Sequence, residues 1–333
     1  MNKLPMDAPV DLVLPWVDGA DPAWRKEKAA WTDCGGDDRV NRYRDWDNLQ
    51  YVFRGIEKNL PWIRKVHFVT WGHLPEWLNT ECPRLHIVSH RDYIPETYLP
   101  VFSSHPIELN LHRIEGLAEQ FIYTNDDIFF LQPQSREAYF REGIPVDRGV
   151  QNVLQFRRAD GIDHVVANDL GCINRNFDKR TCMKENLSKW FSPRYGIGGL
   201  KNLYLLAFRN FTGFEDPHMP CAYRKETFRQ VWQREPELLD RTCHSRIRSD
   251  SDVNQWLMRY WQLASGNFVP GKREGKSLFS IGQEDGAIRE AVLGGKCVVC
   301  LSDDDPELDF QREKSFLRDL LEAALPEKSM FER

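Results

Sequence analysis

Between Ala118 and Leu131 the chain reads AEQFIYTNDDIFFL, and this stretch constrains the fold more than any other. An apolar, aromatic run (Phe121, Ile122, Tyr123) halts at Asn125-Asp126-Asp127 and resumes as Ile128, Phe129, Phe130 and Leu131. Short runs rich in Ile, Tyr and Phe predict buried strand. Two adjacent carboxylates inside such a strand would lose their hydration unless a cation, donor groups or water met them. The strand is therefore expected to end there, at the rim of a cleft, with the acids facing a divalent ion. Mg²⁺ and Mn²⁺ prefer oxygen ligands, and an acidic pair at a strand's C-terminal edge can hold one against a diphosphate. The bland alternative is a solvated acidic turn.

The flanking sequence supplies a rhythm. Residues 10–17 (VDLVLPWV) predict a strand running into the turn signal Asp18-Gly19. A charged, glycine-containing stretch from Asp33 to Arg44 predicts an exposed loop able to act as a lid. Leu49, Val52, Phe53, Ile56 and Leu60 recur at helical spacing until Pro61. Strands are expected at 65–70 and 85–89. Ser104 and Pro106 suit a helix entrance, with Ile107, Leu111, Ile114 and Leu117 on its apolar face. Strand, helix, strand, strand, helix, strand is the order of an α/β sheet with parallel crossovers, whose ligands bind beyond the strand C-termini. Asp18 and Asp126-Asp127 fall there.

From about 135 to 215 the pattern loosens; 165–176 and 192–202 look polar and turn-rich. Residues 222–240 and 252–263 are helical by spacing, 296–301 predict a late strand before the acidic loop 302–305, and 307–325 predict a closing helix.

At 333 residues, 41% apolar and 29% charged, with net charge −5, the chain can bury a large core and lacks the basic balance of a nucleic-acid binder. Its N-terminus has no signal-peptide apolar core, and no run approaches the roughly 18 apolar residues of a membrane span. A cytoplasmic protein is the expectation, with peripheral attachment to the inner membrane face compatible with it. Eight scattered cysteines favour reduced thiols, and Cys297-Val-Val-Cys300 is read as strand interior rather than half of a zinc site.

Four further stretches place polar groups in apolar or aromatic settings: Trp16-Val-Asp18-Gly-Ala-Asp21-Pro22, Arg42-Tyr-Arg44-Asp45, Asp216-Pro-His218-Met-Pro220 and Arg246-Ile-Arg248-Ser-Asp250-Ser-Asp252. Each has a plain structural reading: turn acceptor, surface ion pair, structural imidazole, helix N-cap. Together they offer acids for a metal, guanidinium groups for phosphate, and an imidazole suited to proton transfer near neutrality.

DLVLPWVDGADP, the long block RDWDNLQYVFRGIEKNLPWIRKVHFVTWGHLPEWL, and PRLHIVSH with FSSHPIELNLHRIEGLAEQFIYTNDDIFF resemble the Stealth family. DPHMP, RSDSDV and the terminal PEKSMFE resemble its later blocks, in order, from about residue 10 to 332. The resemblance implies a sugar-phosphate transferase. An acceptor hydroxyl would attack the β-phosphorus of a UDP-sugar, with UDP-GlcNAc the expected donor, a glycan or polysaccharide the acceptor and UMP the leaving group. The expected architecture is α/β: a Rossmann-like (GT-A-like), mostly parallel sheet flanked by helices, with an inserted or appended smaller subdomain. The catalytic domain would span 8–333, with 8–134 the nucleotide-sugar half, 135–215 an acceptor-side insertion and 216–333 completing the core.

Carried onto this sequence, Asp127 with Asp126 would hold Mg²⁺ or Mn²⁺. Arg248 and Arg44 would steady phosphate, and Trp16 with Asp18 would sit at the nucleotide end. Asp45, Asn125, Asp252 and Asp303 would add polar contacts to the donor, and His218 would take the acceptor proton or orient the attacking hydroxyl. The chain departs from the family pattern at Pro15, Ser103 and Ser302, which bears on acceptor contacts and on the work of Asp303. The rival readings are a metal-dependent glycosyltransferase that releases UDP, and a nucleotide-sugar-binding regulator without turnover.

Overall fold

The computed structural model describes residues 4–5, 7–31, 44–156, 161–272 and 275–333. Most of the expected lid, including Cys34, Arg42 and Tyr43, lies outside the described residues.

Eleven strands form among the described residues: β1 (Val10–Pro15), β2 (Val66–Thr70), β3 (Leu85–Ser89), β4 (Gln120–Tyr123), β5 (Ile128–Phe130), β6 (Phe140–Arg141), β7 (Ile144–Asp147), β8 (Cys221–Arg224), β9 (Val269–Pro270), β10 (Leu278–Ser280) and β11 (Val298–Ser302). The central sheet has the order β3-β2-β1-β4-β8. Its first three pairings are parallel and β8 closes the edge antiparallel to β4. The protein is thus mixed α/β, with a mostly parallel central sheet flanked by helices.

Both faces of this sheet are covered, which is why β1 is almost continuously apolar. Side chains alternate across it. Leu12 and Leu14 join a core with Phe53, Phe68, Phe129 and Leu321, whereas Val13 joins a second core with Val69, Phe121, Tyr223 and Tyr260. The helix Leu49–Asn59 covers the first face. It comes so close to β5 that a Cβ on Gly55 would lie 2.5 Å from the Phe130 carbonyl oxygen, so only glycine fits there.

The acidic stretch behaves as the sequence predicts and does one thing more. After Tyr123 the chain leaves the central sheet, and at Ile128 it enters a second sheet of order β10-β11-β5. Asn125, Asp126 and Asp127 are therefore the bend between two sheets, beyond the C-terminal end of β4.

Three expectations change. The helix after Ser103 ends at Leu109, and a single 3₁₀ turn (Leu111–Arg113) follows. Buried Asn110 breaks it, donating through Nδ2 to the Pro106 carbonyl 2.8 Å away. Residues 165–176 are not turn-rich: Ile162–Asn176 is a helix of 15 residues. Its polar residues are satisfied from elsewhere in the chain, Asn168 donating to the carbonyls of Asp250 and Asp252 and Asp169 accepting from the Asn254 amide. Residues 222–240 begin as β8 and continue as two helices, Lys225–Arg234 and Pro236–Cys243, the second opened by its proline. The buried residues of 135–215, such as Trp190 and Phe214, share the second core with Tyr223 and Tyr260. No helix among the described residues is long and apolar enough to cross a membrane, and the seven described cysteines are free.

Candidate active site

A cleft of about 2520 Å³ opens at the C-terminal edge of the central sheet. Trp16, Asp18, Arg44, Asp45, Asn125, Asp126, Asp127, His218, Arg248 and Asp303 all line it. Six separated stretches of sequence meet there, at the edge to which the parallel strands deliver their following loops.

At its floor, Asp127 is the meeting point. Its Oδ2 lies 3.7 Å from His218 Nε2 and accepts from the Cys300 thiol at 3.4 Å, while its Oδ1 is enclosed with no hydrogen-bond partner. One ligand atom each from Asp127, His218 and Cys300 falls within 4.8 Å of the others. Cys300 arrives from β11, whose Leu301 amide donates to the Asp127 carbonyl. The strand reading of the CxxC pair is right, yet its buried thiol belongs to the site. The nearby Asp127 carboxylate raises the His218 pKa against the opposing effect of burial. Burial and the neighbouring carboxylates push the Cys300 thiol well up. Asp126, walled by the cleft although its carboxylate meets solvent, is pushed up to about 7 by desolvation and then by Asp127.

These residues suit a divalent cation: an orphaned carboxylate oxygen and two crowded acids repelling each other are what a cation relieves. Asp127 and Asp126 offer the oxygens that Mg²⁺ or Mn²⁺ prefers; His218 and Cys300 are softer donors within reach.

His218 sits in the left-handed region at φ 50°, a costly conformation for a non-glycine residue that its surroundings hold in place. Two residues earlier, Asp216 accepts from Arg259 Nη1 at 2.7 Å and from the Tyr260 hydroxyl. Arg259 also grips Asp147, at the end of β7, through two nitrogens at 2.8 and 2.9 Å. Arg259 and Tyr260 lie on the helix Trp256–Ala264. The loop that aims His218 is thus anchored by a buried ion network.

Asp252 is a correction. It does not line the cleft but is fully buried, its Oδ2 2.8 Å from His105 Nδ1 and 2.9 Å from the donating Ser249 amide. His105, beside the cleft, has Asp252 as its one side-chain partner among the described residues. An acceptor at Nδ1 assigns the proton of the neutral ring there and leaves Nε2 as the lone-pair nitrogen. Next to it, Arg248 donates to the Ser104 hydroxyl at 3.1 Å.

Arg44 and Asp303, expected as separate ligand contacts, face each other at 3.3 Å. Arg44 also donates to the carbonyls of Asp305 and Pro306. Burial raises the Asp303 pKa against the pull of the guanidinium. Trp16 stacks on Phe68 with centroids 5.7 Å apart, and Asp18 accepts from the Ala20 amide while its own amide donates to His73 Nε2. The exposed Asp45 caps its own turn by accepting from the Asp47 amide.

The sequence reading missed Cys300, His105 and Arg259. The CxxC spacing and the FSSHP block were visible, but neither says which distant carboxylate each residue would meet.

The chain is similar to known proteins along its whole length. The family models for Stealth protein conserved regions 1 and 2 match residues 8–33 and 42–146. A capsular polysaccharide phosphotransferase WcwK of Streptococcus pneumoniae is 38% identical over 97% of this chain and 99% of its own length. Receptor polysaccharide phosphotransferase WefC of Streptococcus oralis is 34% identical, covering 100% of both chains. Exopolysaccharide phosphotransferase cps2G of Lactiplantibacillus plantarum is 32% identical over 97% of this chain and 96% of its own. Among solved structures, the galactosyltransferase LgtC aligns over 96% of this chain at 10% identity with a TM-score of 0.39, too remote to carry weight.

Proposed function

The chain belongs to the Stealth family, and on that premise we propose that it transfers a sugar-1-phosphate, as N-acetylhexosamine-1-phosphate, from UDP-GlcNAc or a related UDP-sugar to a hydroxyl of a glycan acceptor. UMP is released and a phosphodiester forms. The phosphotransferase names of full-length relatives support the reaction class. The observation that carries the site assignment is the convergence of Asp127, its orphaned Oδ1 and His218 at the end of the central sheet.

The acceptor oxygen attacks the β-phosphorus, the bond from that phosphorus to the bridging oxygen breaks, and the oxygen leaves as part of UMP. Such displacement needs charge neutralisation and in-line positioning more than covalent catalysis. Asp127 and Asp126 would hold Mg²⁺ or Mn²⁺, which supplies positive charge to the diphosphate when bound. Arg248 stabilises charge on the phosphoryl oxygens. His218, raised in basicity by Asp127, takes the acceptor proton. Asp252 orients His105 toward the cleft instead of contacting the donor itself. Trp16 and Asp18 face the nucleotide end. A cytoplasmic UDP-sugar pool is the expected donor source, with the reaction at or near the inner membrane face if the acceptor is lipid-linked.

The test is phosphorus NMR of a reaction containing UDP-GlcNAc, an acceptor oligosaccharide and Mn²⁺. A phosphodiester resonance with UMP is the expected outcome. UDP with no phosphodiester would overturn the reading in favour of simple glycosyl transfer.

A further inference from the structure

Just ahead of the loop that carries His218, the usual placement of polar and apolar groups is reversed. From Tyr195 to Asn210 the buried members are Tyr195, Asn202 and Leu205. Asn202 donates to the carbonyls of Gly149 and Trp190 and accepts from the Gln151 amide. Lys179, itself buried, reaches in to donate to the carbonyls of Leu205 and Asn210. Facing outward are Ile197 (86% exposed), Tyr204 (76%), Leu200, Leu203, Leu206 and Phe208. Polar side chains pin the backbone from beneath, so the outward apolar set is held in place by the fold rather than by a loose turn. Soluble proteins rarely leave so many large apolar side chains together in water without a partner.

Charge identifies the partner. The chain carries −5 overall, yet residues 178–209 hold seven basic residues against two acidic ones, Asp178 and Glu185, while Glu215 pairs with Lys201. Five of the seven (Arg180, Lys184, Arg194, Lys201 and Arg209) are exposed. Apolar and aromatic side chains set among cations are the composition that enters the headgroup region of an anionic bilayer. A second copy of this chain fits poorly, because a two-fold contact would set one basic face against another.

We propose that the surface formed by Ile197, Leu200, Leu203, Tyr204, Leu206 and Phe208, with its surrounding Arg and Lys residues, seats the protein on an anionic lipid surface. The inference stands apart from the chemistry of the cleft. The segment inserts its apolar side chains at the level of the acyl-chain boundary and lays its cations against lipid phosphates. The attachment is peripheral in this reading, and no helix among the described residues is long and apolar enough to cross a membrane.

The experiment mixes the full-length chain with phosphatidylcholine vesicles, with and without phosphatidylglycerol, and measures co-sedimentation. Binding is expected only with phosphatidylglycerol and to weaken at high salt. It should fall about tenfold in Ile197→Ser/Leu200→Ser/Phe208→Ser and separately in Arg194→Glu/Arg209→Glu. Both variants change exposed positions outside the cleft and should keep the wild-type melting temperature and turnover on a soluble acceptor. Failure of the wild type to bind, equal binding to neutral vesicles, or undiminished binding by the charge-reversed variant would overturn the proposal. So would sedimentation showing a wild-type dimer that the apolar variant dissolves without loss of vesicle binding, which would give this surface to a second copy.

Discussion

Two aspartates sit at opposite ends of the central sheet, in company that looks alike on paper. Asp11, near the start of β1, keeps a histidine and an arginine as neighbours. Its carboxylate takes Arg64 at 2.8 and 2.6 Å, His67 Nε2 at 3.0 Å and the Ala118 amide at 2.8 Å. Burial alone would raise its pKa, but His67, Arg64 and the Ala118 amide outweigh it and hold the group below the usual carboxylate value. Asp127, past the end of β4, has a histidine at 3.7 Å, a thiol, and an oxygen that nothing donates to. The first acid is fully satisfied by the protein; the second leaves lone pairs for a ligand. The two acids thus differ in how far the protein's own donors satisfy them, although both keep a histidine nearby.

The sharpest way to break this contrast is Asp127→Asn. Turnover should drop by about 10²–10³-fold or more, the cost of losing transition-state charge stabilisation, while the melting temperature stays near wild type. A large stability loss without an activity loss would erase the distinction. Asp11→Asn should do the reverse, lowering unfolding free energy in urea by about 3 kcal/mol because a buried pair loses one member. Activity per folded molecule should be retained.

The pH dependence carries the same sign. A depressed folded-state pKa means the Asp11 contribution is present above the unfolded value of 3.8 and is lost as pH falls through the folded value. Acid titration of stability should therefore be flatter in Asp11→Asn.

Asp252→Asn probes an intermediate case, a buried acid serving a cleft residue. Loss of orientation at His105 should lower kcat by about 10–100-fold, as outer-shell partners do, with KM for the donor nearly unchanged. Restoration by Asp252→Glu would sharpen the assignment. The smallest effect is expected for Cys300→Ser, which should leave Mg²⁺-supported turnover close to wild type. It should remove the sulfur-to-metal absorption seen on titration with Co²⁺ if the thiol joins the ligand set.

The acid pair, the strand before it and the blocks carrying His218 and Arg248 were legible in the sequence, as was the strand rhythm of residues 10–131. Element ends were less so. Asn110 ended one helix through a local side-chain bond to the Pro106 carbonyl, and Asn168 and Asp169 disguised another as loop because their partners lie more than eighty residues away. Arg44 and Asp303 both read as ligand contacts, and only the fold showed them facing each other.

Local pattern determined where strands and helices arise, that the sheet would be mostly parallel, and that two acids would stand at its edge, because periodicity and turn chemistry act over a few residues. The tertiary structure alone decided that Cys300 reaches Asp127, that Asp252 turns inward to His105, and that the loosely patterned 192–210 segment shows its apolar side chains to solvent. Those outcomes depend on contacts between residues far apart in the chain, and on which side of a short segment finds buried partners first.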